Sequence, residues 1–141
     1  MTSLLHITMC HAGGSLADFT QAIELKPDYA DAYDSRGSLK VQTGDFDGAI
    51  ADFSKAIELK PDSVSFYVGR RTAKARQRDF DGAIADFTKA IDCTKATEFN
   101  PNLSNLYQSR GLLKREKGDF EGMNADLRKA GVDNPISSWL K

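Results

Sequence analysis

The sequence is poor in the residue types that stabilise small secreted folds or build reactive sites. It has 141 residues but only two cysteines, two histidines and four prolines. Cys10 and Cys93 are too few for a disulfide framework, so reduced thiols are the expected state. Neither histidine stands in a pattern that pairs a nucleophile with a base. We therefore expect a chain that is not an enzyme and needs no cofactor.

An excess of charge and a long apolar run are also missing. The net charge is −1, which gives no general attraction to nucleic acid or to an anionic membrane. No apolar run approaches the roughly 18 residues of a membrane span. The N-terminal stretch MTSLLHITMC lacks the leading Lys or Arg of a signal peptide. We expect a cytoplasmic chain without nucleic acid or membrane as a partner.

A metal site at the N-terminus is disfavoured on spacing. His6, Cys10 and His11 are separated by four residues and then one, and no second cluster completes four ligands. We therefore predict no metal ligand in this chain.

What the sequence does contain is one amphipathic segment that comes close to occurring four times. Its copies lie at 15–28, 44–62, 78–92 and 118–135. Phe19, Phe53 and Phe87 are each 34 residues apart, and the step from Tyr67 to Tyr107 is 40 residues. A fixed period of this size indicates stacked supersecondary units.

Residues 30–63 show what one unit contains. Its second half has an apolar face at helical spacing. Gly44 can take positive φ and end a first helix, and Asp45 can cap the second. Pro61 stops the second helix, and Asp62 can cap the first helix of the next unit. Each unit is therefore predicted to be a helix, a tight turn, a helix and a proline stop, and the units must stack to bury their apolar faces.

The repeats resemble the tetratricopeptide repeat (TPR). Signature positions of that family are filled in the first full unit by Tyr33, Gly37, Ala49, Phe53, Ala56 and Pro61, in the second by Tyr67, Ala83, Phe87 and Ala90, and in the third by Tyr107, Gly111, Ala130 and Pro135. The resemblance implies an all-α fold, a right-handed α-solenoid of antiparallel helix pairs with about three full TPR units plus an N-terminal half-unit.

The unit boundaries follow from the same alignment. We predict a single TPR domain over 1–141, with an incomplete unit at 1–29, full units at 30–63, 64–103 and 104–135, and a truncated C-terminal cap at 136–141. A six-residue insertion at 93–98 is expected to lengthen the second helix of its unit and to alter the junction with the third. The incomplete ends leave two alternatives, which are packing back as caps and self-association.

A basic stretch, RRTAKARQR at residues 70–78, breaks the pattern of the second unit. Arg71 stands where the neighbouring units have Gly37 and Gly111, and Arg78 stands at the position of Gly44. A non-glycine residue in a left-handed turn costs roughly 1 kcal/mol. The stretch has two interpretations, a solvated helix face whose long stems cover apolar neighbours or a cationic patch for an acidic peptide.

Charged residues recur at the repeat period. The pairs are Arg36/Lys40, Arg70/Lys74 and Arg110/Lys114, and the acids in the second helices are Asp18, Asp52, Asp86 and Asp126. Like charges four residues apart on a helix repel mildly, and facing columns of opposite sign would offset this. We interpret them as structural ladders. The family usually has leucine at the Arg position and tyrosine at the Lys position.

The resemblance also implies a binding surface. In this family the first helices line a concave groove that binds peptide segments of other proteins. The matching positions here are Asp31, Asp34, Ser38, Ser65, Val68, Thr72, Arg76, Asn105, Gln108, Leu112 and Arg115. This surface is acidic at one end and basic near Arg76 and Arg115, which favours an acidic peptide. The predicted function is a non-catalytic protein–protein interaction module, and the alternative is a self-assembling structural repeat that forms a homo-oligomer through its open ends.

The repeat assignment makes Phe53 a core residue, which a substitution tests. Phe53→Ala is expected to lower the free energy of unfolding by about 3–5 kcal/mol, because it opens a cavity between paired helices. Lys55→Ala, on the polar side of the same predicted helix, is the control and should change it by less than about 0.5 kcal/mol. Urea denaturation followed by circular dichroism measures both. Similar losses for the two variants would contradict the assignment.

Overall fold

The computed structural model describes residues 14–95 and 103–132, which form seven helices and no strand. The helices are α1 Leu16–Leu25, α2 Ala30–Thr43, α3 Phe46–Leu59, α4 Val64–Arg76, α5 Phe80–Lys95, α6 Leu103–Lys117 and α7 Phe120–Lys129. Helices that follow one another pack together as hairpins, and each hairpin stacks on the one before it. The predicted all-α solenoid is confirmed. The expected caps at 1–13 and 136–141 lie outside the described residues.

The turns inside the hairpins follow the sequence pattern. Gly44 and Gly118 adopt φ values of 84° and 87°, where only glycine is unstrained. The carboxylate of Asp45 accepts a hydrogen bond of 3.0 Å from the backbone N–H of Gly48, and that of Asp119 caps α7 in the same way. These contacts satisfy backbone donors that a helix start leaves free.

One predicted cap is wrong. The N-cap of α4 is Ser63 and not Asp62, since the helix begins one residue later than the prediction required. The Ser63 hydroxyl makes no capping bond and lies 3.1 Å from the hydroxyl of Ser65. The predicted proline stop is confirmed, because α3 ends at Leu59, two residues before Pro61.

Phe53 of α3 packs against both α2 and α4. Its side chain is 1% exposed, as the repeat pattern predicted. A Cβ atom built on Gly37 of α2 would lie 3.1 Å from its ring, and one built on Gly69 of α4 would lie 2.4 Å from it. Both glycines are therefore needed for two first helices to close over the same ring. The sequence pattern pointed to Gly37 and not to Gly69.

The second full unit departs from the first at its second helix. α5 has 16 residues where α3 has 14, which confirms the predicted lengthening. Near its end the buried hydroxyl of Thr94 donates to the carbonyl of Ala90, one turn earlier in the same helix, at 2.7 Å. α2 packs against α4, but α4 and α6 make no comparable contact within the described ranges. α6 still packs along α5, so the change is confined to the side of the first helices. The exact unit boundaries stay predictions.

Arg78 shows the strain that the sequence implied. It adopts a φ of 63° and is the one non-glycine residue with positive φ in 14–95 and 103–132. Its guanidinium lies 5.6 Å from the ring centre of Phe80, a contact that offsets part of the cost.

Arg78→Gly is expected to raise the free energy of unfolding by about 0.5–1 kcal/mol, since glycine accepts this φ without a Cβ clash. Gly44→Ala places a Cβ in the equivalent turn and should lower it by a similar amount. Urea denaturation midpoints compare the two variants with the parent chain. A destabilised Arg78→Gly protein would mean that the contact with Phe80 outweighs the backbone strain.

Candidate functional site

Three buried aspartates organise the charges of the stack. The guanidinium of Arg36 binds Asp52 through two hydrogen bonds, Nε to Oδ2 at 2.9 Å and Nη2 to Oδ1 at 2.7 Å. The Nζ atom of Lys40 lies 2.9 Å from the same Oδ2. This geometry recurs around Asp86 with Arg70 and Lys74, and around Asp126 with Arg110 and Lys114. The predicted ladders are confirmed at Asp52, Asp86 and Asp126, whereas Asp18 accepts a hydrogen bond of 3.1 Å from the backbone N–H of Ser15 at the start of α1.

Each arginine also reaches back to the preceding unit. The Nη1 atom of Arg36 donates to the hydroxyl of Thr20 at 3.2 Å, that of Arg70 donates to Ser54 at 3.1 Å, and that of Arg110 donates to Thr88 at 3.0 Å. We call one aspartate with its arginine, its lysine and this hydroxyl a rung. A rung joins the two helices of one unit and attaches that unit to the previous one, so its charges are not free for a ligand.

The carboxyl group of Asp126 shows how completely a rung compensates burial. Burial alone would raise its pKa, but the hydrogen bonds and charges of Arg110 and Lys114 outweigh that effect. The net pKa of Asp126 is therefore below its ordinary value. The pKa of Arg110 is raised, chiefly by its hydrogen bond to Asp126.

The residues predicted to line a groove lie on α2, α4 and α6, and none of them is fully buried. The exposed ones are Asp31, Ser38, Ser65, Arg76, Asn105 and Leu112, and the half-buried ones are Asp34, Val68, Thr72, Gln108 and Arg115. Leu112 is 45% exposed and is one of the few large apolar side chains open to solvent in the described ranges. Asp34 lies in a dehydrated position near Asp31, and burial, followed by the charge of Asp31, raises its pKa.

Two of these residues share a cavity between α2 and α4. The cavity is open and has a volume of about 200 Å³. Its lining is Ser38, Val41, Gln42, Phe53, Gly69 and Thr72. Val41 is the half-buried apolar side chain of this lining, the ring of Phe53 is almost fully covered, and Ser38, Gln42 and Thr72 supply polar atoms. A water molecule takes roughly 30 Å³ of liquid volume. The cavity is several times larger than this, which leaves room for a single side chain.

The basic stretch at 70–78 is not one continuous patch. Arg70 and Lys74 belong to a rung on Asp86, and Arg78 lies against Phe80 in a turn. Arg76 is exposed. Three of these cations therefore make contacts within the protein, and Arg76 faces solvent.

Arg71 has surroundings that the sequence pattern did not reveal. Its guanidinium carbon lies 4.3 Å from the ring centre of Phe87. Its Nε atom is buried without a hydrogen-bond partner. Burial is the cause that lowers the pKa of this arginine. The replacement of glycine marked the position as unusual, but nothing in the sequence indicated a half-buried cation.

Other kinds of site find no support in the part of the chain that the structure describes. Within 14–95 and 103–132, no three His, Cys, Asp or Glu side chains are grouped to hold a metal ion. His6, Cys10 and His11 lie outside those ranges. None of the described helices has the length and apolar character needed to cross a membrane.

Comparison with known proteins identifies the repeat. Residues 37–70 match the family model described as TPR repeat. No curated protein sequence matches the chain. The chain thus contains a TPR repeat, and the recognition made from its sequence is confirmed.

Solved structures with the same fold include three of different kinds. A crystal structure of MamA has a TM-score of 0.74 and 22% identity, covering 87% of this chain and 68% of its own. YrrB, described as "a TPR protein with an unusual peptide-binding site", has a TM-score of 0.68 and 21% identity. The match covers 86% of this chain and 59% of the YrrB chain. The N-terminal domain of stress-induced protein-1 from C. elegans has a TM-score of 0.70 and 19% identity. The match covers 79% of this chain and 91% of that domain. The chain spans about 60–68% of the MamA and YrrB chains. At these identities the likeness establishes the fold.

Acid unfolding tests the rungs. Because the folded-state pKa of Asp126 is depressed, its contribution to stability is complete above the unfolded-state value of about 3.9. That contribution is lost as the pH falls through the folded-state value. Asp126→Asn is expected to cost about 3 kcal/mol at pH 7, since it leaves two cations facing a neutral group. It should also flatten the fall in stability between about pH 5 and pH 2.

Denaturant unfolding at a series of pH values measures this effect. Glu58→Gln is the control, because its pair with Lys55 is exposed and is worth less than about 1 kcal/mol. An unchanged pH profile in Asp126→Asn would contradict the role given to the carboxylate.

Proposed function

We propose that the chain is a non-catalytic protein–protein interaction module that binds a peptide segment of a partner in the concave groove along α2, α4 and α6. The observation that carries this proposal is the cavity between α2 and α4, which has Ser38, Thr72 and the apolar side chain of Val41 on its lining. A cavity with an apolar wall and a few polar atoms is the usual form of a side-chain pocket. YrrB, which shares the fold, is described as having a peptide-binding site, and this supports the same class of function.

The proposed groove consists of the predicted residues on α2, α4 and α6. Leu112 offers an exposed apolar contact on α6. Arg76 is an exposed cation near this end, and Arg115 adds a second cation that is paired with Glu116 at 3.3 Å. Asp31 and Asp34 make the opposite end acidic. An acidic peptide therefore fits best with its carboxylates near Arg76 and Arg115, and charge complementarity also fixes its direction.

The affinity of such a contact is modest. The groove is built from three first helices, and ordering a flexible peptide offsets part of the binding free energy. Its exposed charges are screened by salt. We expect weak, salt-sensitive binding and a cytoplasmic setting in which the module meets its partners reversibly.

The second candidate, a repeat that assembles through its open ends, has less support. Ile57 and Ile91 pack against the unit that follows, and Ser54 and Thr88 accept a hydrogen bond from it. At the matching positions α7 and its end have Gly131 and Arg128. The face that would receive a further unit therefore lacks both the apolar contact and the hydroxyl acceptor.

A blocking substitution tests the groove. Peptides are selected from a random dodecapeptide display library against the parent protein, and their affinities are measured by fluorescence anisotropy. Ser38→Trp fills the mouth of the cavity and is expected to weaken the selected peptides at least about tenfold, because the peptide side chain loses its pocket.

Lys89→Trp is the matched control, since it places the same bulk at an exposed position on the second helix α5. It should leave the affinities unchanged. Peptides that bind Ser38→Trp and the parent protein equally well would show that the groove is not their site.

A further inference from the structure

Arg71 occupies a position that glycine holds in the other full units. Gly37 in α2 and Gly111 in α6 let the two helices of their hairpins approach closely. α4 carries an arginine at this position, and its side chain lies flat on Phe87 with 4.3 Å between the guanidinium carbon and the ring centre. The second unit therefore carries a cation at a position where the other full units carry glycine, and its two helices still pack as closely as those of the first unit.

This cation lacks the compensation that the rung arginines have. Arg36, Arg70 and Arg110 each bind a buried carboxylate through two hydrogen bonds. Arg71 pairs with no carboxylate in the described ranges, and its Nε atom is buried without an acceptor. Burial lowers the pKa of its guanidinium. A dehydrated charge of this kind is costly unless an anion meets it.

Repeat register places Arg71 beside the groove. Between α2 and α4, the ring of Phe53 fits against Gly37 and Gly69, and the cavity opens above it. On the α6 side of α4, the corresponding sequence positions are Phe87, Arg71 and Ser109, but α4 and α6 do not pack together there as α2 and α4 do. The two sides of α4 thus differ in chemistry. The side towards α2 has the open cavity, and the side towards α6 has the guanidinium of Arg71 over Phe87.

We propose that Arg71 binds an acidic side chain of the peptide whose apolar side chain fills the cavity between α2 and α4. This rests on the proposed function and adds the spacing of the ligand. Packed helices lie about 8–10 Å apart, and an extended peptide advances about 3.3 Å per residue. The apolar and acidic side chains are therefore about three residues apart.

Defined peptides test the pairing. The probes are Gly/Ser decapeptides that carry one Leu and, three positions away, one Asp, made in both orders. Each has a partner peptide with Asn in place of Asp. The Asp form in the preferred order is expected to bind the parent protein about tenfold more tightly than its Asn form, as a charge-assisted hydrogen bond does.

Arg71→Gln keeps a polar side chain and removes the charge, and with this variant the Asp and Asn forms should bind equally. Arg128→Gln removes an exposed cation at the end of α7 and should keep the tenfold preference. Circular dichroism establishes that both variants are folded.

The other outcomes separate the two proposals. If the Leu peptides bind and Ser38→Trp abolishes binding, but Asp and Asn forms have the same affinity, the role of Arg71 is wrong and the groove stands. If Arg71→Gln still binds the Asp form more tightly than the Asn form, the proposed role of Arg71 is also wrong. If neither order of the peptides binds the parent protein, the assignment of both subsites fails, and the groove proposal then depends on the library-selected peptides alone.

Discussion

The stack depends on carboxylates held in its interior. Asp52, Asp86 and Asp126 are 1–4% exposed, and an isolated charge at such a depth would cost several kcal/mol. Each is compensated by a two-pronged arginine and by a lysine one turn further along the first helix. The arrangement works in one register only, because a shift of either helix would leave a carboxylate without its cations. The apolar faces of these short helices are small and specify the register of the two helices only loosely. The ion pairs therefore fix that register. This also explains why arginine and lysine stand where the TPR family usually has leucine and tyrosine.

The rungs also decide which charges remain for a ligand. Arg70 and Lys74 look like part of a basic cluster in the sequence, but both are paired with Asp86 inside the hairpin. In the proposed groove, Arg76 is exposed and Arg71 lies against Phe87, while Arg115 is paired with Glu116 at 3.3 Å. The residues that stack the units and the residues that can meet a peptide are therefore nearly separate sets, although both lie on the first helices. A change in ligand preference need not disturb the stack.

The sequence predicted those features that local chemistry and periodicity determine. The turn at Gly44, the cap at Asp45 and the burial of Phe53 each follow from residues close together in one unit. The ladders could be predicted because their members repeat with the period. Gly69 and Arg71 could not be understood in this way, since their surroundings depend on how one unit meets the next. The cap at Asp62 failed because a one-residue difference in where α4 begins is beyond what pattern reading resolves. The groove residues came from the resemblance, and their role is a proposal.

The hydroxyl in each rung gives the coupling between units a direction. The arginine of a unit takes its carboxylate from within the unit and its hydroxyl from the unit before it, as Arg70 does with Asp86 and Ser54. This contact does not require any residue of a later unit. A polypeptide leaves the ribosome with its N-terminus first, and domains generally fold in that order. Every hairpin can therefore complete its rung as soon as it is made, on a surface that is already in place.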